Sequence, residues 1–118
     1  MVVLHPSELS ALVDLVHDLW FDVDQLERHP SCGAATIPLY ERPDDLRQKR
    51  PPILTLVIKH VHSAVVKDSE HVGYYDIDQI RFDPVANVLT ISGCIPLVVQ
   101  FRVAKLHIEL HEGVWELR

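Results

Sequence analysis

Five side chains in this sequence have the types and spacing that metal chemistry requires. His60-x-His62 places two imidazoles on one face of a strand, about 7 Å apart by the strand repeat. His107-x-Glu109-x-His111 does the same with a carboxylate between the rings. Zinc, iron and manganese take imidazole nitrogens and carboxylate oxygens from converging strands. His60, His62, His107, Glu109 and His111 are therefore the candidate ligands of a divalent transition metal. Val61-His62 aligns with Leu106-His107, which would put His62 and His107 in equivalent places. The competing account is that these histidines mark strand ends facing water.

Two Asp-x-Asp pairs, Asp22/Asp24 and Asp76/Asp78, could bind a hard cation or divide acid and base roles. Neither has the glycine-bearing loop or the extra oxygen ligands of a calcium site, so carboxylates on the solvent face of a strand are the better reading. Nucleophilic catalysis has little support. Cys32 lies in a turn three residues after His29, and Cys94 follows Gly93, with no elbow motif around either. Two cysteines this far apart make neither a disulfide framework nor a zinc spacing, and read as two reduced thiols.

The elements that must position these groups follow from periodicity. Leu9, Leu12, Val13, Val16, Leu19 and Trp20 form one apolar stripe, which predicts a helix over 7–20 with Ser7 as N-cap. From Phe21 the period becomes two. Phe21-Asp22-Val23-Asp24-Gln25-Leu26 and Tyr75-Asp76-Ile77-Asp78-Gln79-Ile80 open two stretches that match at a constant offset of 54 residues, six of 19 positions being identical. Phase slips at Gln25 and Gln79 predict matching bulges. Turns at 29–33 and 83–87 lead into return strands 34–39 and 88–92. Each hairpin is followed by a long third strand, 53–66 and 97–111, and Trp115-Glu116-Leu117 would add a terminal strand or dock on the sheet.

These elements predict a single domain over 1–118, with a first β unit at 21–66 and a second at 74–112. The fold class is mostly β (α+β by count). It is an antiparallel β-sandwich or partly closed barrel of six or seven strands, built from two related three-stranded units with the helix packed on it. The connection 40–52 differs from its short counterpart 93–96. It carries Pro43, Pro51, Pro52 and the cluster Arg47-Gln48-Lys49-Arg50 beside Asp44 and Asp45, and reads as a solvated loop.

Charge is unevenly placed. Residues 1–27 contain six acids and no Lys or Arg, and account for the whole net charge of −6. Such a face excludes a phosphate-backbone partner, which needs a basic stripe. It fits a basic protein partner contacting Asp14, Asp18, Asp22 and Asp24, or simple solubility. No run approaches a membrane span and no signal segment opens the chain, so a soluble, cytoplasmic protein is expected. The expected function is a small non-enzymatic binding or interaction module, with a homodimer through an unprotected edge strand, notably 53–66. A metal-binding protein or metal-dependent enzyme is the second reading. An acidic inhibitor or immunity-type protein is the third.

Overall fold

The computed structural model describes residues 1–115; Glu116 and Leu117 of the expected terminal strand lie outside the described residues. Strand β1 (Val2–Val3) leads through a 3-10 turn at Pro6–Glu8 into helix α1 (Leu9–Val16). The helix is shorter than the periodicity predicts at both ends. Glu8, not Ser7, organises its start, its carboxylate accepting from the Leu4 and His5 amides at 3.1 and 3.0 Å. At the other end Asp18 adopts a left-handed φ of 67° and donates its amide to Ile77 O, which turns the chain out of the helix. Leu9, Leu12 and Val16 enter the core as the stripe requires, while Trp20 opens a strand.

The rest of the chain is β2 (Trp20–Asp22), β3 (Glu27–His29), β4 (Ala34–Leu39), a short helix α2 (Pro43–Arg47), β5 (Leu54–Ile58), β6 (Val61–Lys67), β7 (Tyr74–Asp76), β8 (Gln79–Asp83), β9 (Val88–Ser92), β10 (Val98–Val103) and β11 (Ile108–Glu112). They form three antiparallel sheets: a five-stranded sheet in the order β1-β11-β5-β4-β3, a four-stranded sheet in the order β6-β10-β9-β8, and the pair β2-β7. The architecture is a sandwich-like α+β fold with open sheets, and strands outnumber the six or seven expected because Val2–Val3 adds one and both first hairpin strands and both long third strands are broken. Residues 53–66 are β5 and β6, bent at Lys59-His60 where His60 takes φ 56°. Residues 97–111 are β10 and β11. Each break carries the chain from one large sheet to the other.

The two halves correspond in register. Glu27, Arg28 and His29 oppose Thr36, Ala35 and Ala34. Fifty-four residues later Arg81, Phe82 and Asp83 oppose Thr90, Leu89 and Val88. Strands β2 and β7 pair with each other so that Phe21 lies opposite Tyr75, its own counterpart. Val23 N donates to Gly73 O at 3.0 Å and Ile77 N to Leu19 O at 2.9 Å, one bond repeated across an approximate two-fold axis. The turns agree as well: Gly33 and Asn87 both take positive φ, and their carbonyls accept from Val61 N and Val103 N. The expected bulges are instead interruptions, a 3-10 turn at Val23–Gln25 and a break at 77–78, where the chain leaves the small sheet for a large one.

Phe21 and Tyr75 are fully enclosed, their rings 6.3 Å apart at the seam between the halves. Phe21→Ala is expected to lower stability by about 3–5 kcal/mol. Val85→Ala, at a position 94 % exposed, should change it by less than about 0.5 kcal/mol. Urea denaturation of the two variants against the parent checks both.

Candidate functional site

Alternation along β4, β5 and β11 sends Ile37, Leu39, Leu56, Ile58 and Ile108 into the core. It leaves Ala34, Thr36, Thr55, Val57, Glu109 and His111 on the opposite face of the five-stranded sheet. Thr36 and Thr55 are buried there too, 7 % and 3 % exposed. Thr55 donates its hydroxyl to Gly113 O at 2.6 Å, and the Trp115 ring sits 5.5 Å from that of His29. A cleft of about 300 Å³ remains, lined by Gln25, Thr36, Tyr40, Thr55 and Trp115 among others. Its polar walls are already engaged: Tyr40 donates to Gln25 at 3.0 Å and His29 is 3.2 Å from the Thr36 hydroxyl.

The histidine cluster occupies the β11 side of this face. His107 Nε2 and His111 Nε2 lie 3.0 and 2.8 Å from the two Glu109 carboxylate oxygens, with Lys59 Nζ at 4.0 Å. The His60 ring is 5.6 Å from that of His107. Burial alone would raise the Glu109 pKa, but the bonds from His111 and His107 and the charge of Lys59 prevail and hold it below 4.5. The His60 pKa is lowered as well, by burial first and then by the charges of Lys105, His107 and Lys59. His62 does not join the group: it lies on β6, exposed, in the four-stranded sheet. Through the strand registers the counterpart of His107 is Ser63, since Ile108 lies opposite Ile58 and Ala64 opposite Phe101. The Nε2 atoms of His107 and His111 are both turned onto one carboxylate, and among the described residues no group of three or more His, Cys, Asp or Glu is placed to hold a metal ion.

The Asp pairs also have internal uses. Asp22 accepts the Asp24 amide at 2.9 Å. Asp76 is not on a solvent face. It is 6 % exposed and accepts from the Cys94 and Ile95 amides at 3.1 and 3.3 Å. Burial would raise its pKa, yet these amides outweigh it and keep the carboxyl below 3.8. A glycine at 93 is required, because a Cβ there would strike the Asp76 carbonyl oxygen. The Cys94 thiol bonds to the same carboxylate. That bond first, and then the negative charge, push the thiol up to about 11, the reverse of what a nucleophile needs.

In the acidic N-terminal stretch, Asp14 and Asp18 are exposed at α1 and its exit. Asp18 is not bare charge. His17 is held between Asp78 and Asp18, 3.2 Å from each, and its pKa is raised by the Asp78 bond first and then by the charge of Asp18. The 40–52 connection is likewise organised. Pro43 and two acids start α2, Leu46 is buried, and Asp44 and Asp45 pair with Arg47 and Arg50 at 2.6 and 3.1 Å.

One sheet margin lies elsewhere than periodicity predicts. Of the edge expected along 53–66, β5 is central in its sheet and β6 alone forms a margin. The polar Lys59-His60 break between Ile58 and Val61 was the available signal. On β10, Val103 N donates to Asn87 O on the β9 side and Ala104 N to His60 O on the β6 side. Strict alternation then aims Ser63, Val65 and Lys67 at β10, and points the amides and carbonyls of Ala64 and Val66 outward. The His62 carbonyl, also outward, is capped by the Arg28 guanidinium at 3.0 Å. Among the described residues no strand pairs with this margin, and Val65 and Val66 are 51 % and 40 % exposed.

No protein-family model matches the sequence, and neither the curated proteins nor the solved structures offer a match. No helix among the described residues is long and apolar enough to cross a membrane.

Asp76→Asn turns an amide group toward two N–H donors and should cost on the order of 1–3 kcal/mol at neutral pH. Because the Asp76 pKa is depressed in the folded state, its contribution is present above 3.8 and fades as pH falls through the folded value. Urea midpoints should therefore differ clearly at neutral pH and draw together in strong acid. The same variant should alkylate faster at Cys94, followed by mass spectrometry of the labelled peptide; an unchanged rate would show that Asp76 does not restrain the thiol.

Proposed function

We propose that the protein is a small non-enzymatic interaction module that binds by accepting an extended strand along β6. The observation that supports it is the fate of the corresponding edge in the other half. Matching β4 to β9 makes Ile58 the counterpart of Phe101, and so makes Ile108, Glu109 and Leu110 of β11 the counterparts of Ala64, Val65 and Val66. On β11 that edge carries β1: Val3 opposes Ile108, Val2 opposes Glu109, and Leu110 N donates to Met1 O at 2.9 Å. The two halves are then copies of one unit, and an edge of this geometry takes a strand in one copy while its equivalent stands open in the other. Strand addition supplies affinity through main-chain bonds and specificity through alternate side chains.

The chemistry of the remaining groups agrees with binding rather than turnover. Glu109, Asp76 and Asp22 each spend their oxygens on neighbouring side chains or amides, and the Cys94 thiol is held protonated. Two unpaired exposed thiols suit a reducing, cytoplasmic setting.

A displayed library of random peptides of about ten residues, panned against nanomolar protein, tests the reading. Extended sequences with alternating β-branched residues should be enriched. Ala64→Pro and Val66→Pro remove only outward amides, which an edge strand tolerates, and each should weaken the selected peptides at least about tenfold. Absence of enrichment, or binding indifferent to both prolines, would overturn it.

A further inference from the structure

We infer that the strand received by β6 is β6 of a second copy, antiparallel about a two-fold axis through Val65; the inference rests on the strand-accepting reading above. The outward groups fix this register. Ala64 and Val66 are the residues with free outward amides and carbonyls, and an axis at Val65 sets Ala64 against Val66 of the second copy and Val66 against its Ala64. Four main-chain bonds close around the axis. Val65 then faces itself as a non-hydrogen-bonded pair, the closest side-chain approach in an antiparallel ladder, with β-branched surface on both sides. An axis at Ala64 would instead require the His62 carbonyl, which Arg28 already holds.

Charge favours the same arrangement. Lys67 is the only Lys, Arg, Asp or Glu in the strand. An axis at Val65 places it opposite Ser63, whereas an axis at Lys67 would oppose lysine to lysine. The register also carries His62 of each copy toward position 68 of the other. There a groove of about 670 Å³, lined by Lys67, Asp68 and Ser69 among others, closes the end of the strand. The two four-stranded sheets would continue as one eight-stranded sheet, closed by a self-complementary contact.

The contact is small, so a dissociation constant on the order of 100 µM is expected, as for transient interfaces. Sedimentation equilibrium over a range from about 10 µM to 1 mM, which brackets that constant, should show a monomer–dimer equilibrium. Val65→Lys and Val65→Asp each oppose like charges across the axis and should leave folded monomers, folding being confirmed by thermal melts. An equimolar mixture of the two should restore a heterodimer, because the ammonium introduced in one chain would meet the carboxylate introduced in the other. A parent protein monomeric at 1 mM (about ten times the expected constant), a dimer untouched by either variant, or a mixture that stays monomeric would each overturn the inference. Peptides lost on Ala64→Pro together with a monomeric parent would sink the second copy as the occupant while sparing the strand-accepting module.

Discussion

The β2–β7 pairing is the constraint on which the rest of the structure depends. It is three residues long on each side, and it sets Phe21 against Tyr75 with both rings enclosed. Everything before it in each half delivers the chain to this seam, and everything after it leaves for a large sheet. The Tyr75 hydroxyl, which could not be buried alone, donates to the Asp68 carboxylate and accepts the Val72 amide. Its pKa is raised by burial first and by Asp68 second. The seam therefore joins the halves through hydrophobic contact and anchors the segment between β6 and β7 at the same time. Because each half then sends its last strand into the other half's sheet, neither large sheet can form from one half alone.

Carboxylates in this protein mostly serve its own backbone and side chains. Glu8 ties down the start of α1, Asp76 gathers the amides of the 93–96 turn, and Glu109 bridges two imidazoles. Each is held below its ordinary pKa by the groups it accepts from, against whatever burial would do. The lone pairs of residue types that suggest catalysis or metal binding in the sequence are thus committed to partners within the fold. Cys94 is the clearest instance, since the carboxylate that orders its loop also suppresses its thiolate.

Local pattern carried much of the fold. The Leu9, Leu12, Val16 stripe named the buried face of α1, and the offset of 54 residues located both hairpins with the correct turns. What stayed hidden depended on backbone conformation or long-range partners. Periodicity does not register the positive φ of Asp18 or His60, so it carries the helix past its exit and runs 53–66 straight through its bend. The Asp-x-Asp pairs look alike in sequence, yet Asp76 is buried by a turn some 18 residues away while Asp22 closes a local turn. Of the candidate ligand set, His107, Glu109 and His111 converge because strand periodicity decides it. His62 does not, because the intervening bend sends it to another sheet.

The margins of the two large sheets are unequal, and edges are where sheets can grow. β8 lines its edge with Gln79, Arg81 and Asp83, and β3 is a three-residue strand carrying Glu27 and Arg28. Charged or truncated margins of this kind resist further stacking. The longest apolar margin is the later part of β6, with a guanidinium seated at its start; β1, also apolar, offers only two residues. A chain with one receptive edge can terminate growth after a single addition; one with two would template itself without limit. The exposed β-branched strand of β6 is thus the one long margin of the large sheets that neither charge nor truncation blunts.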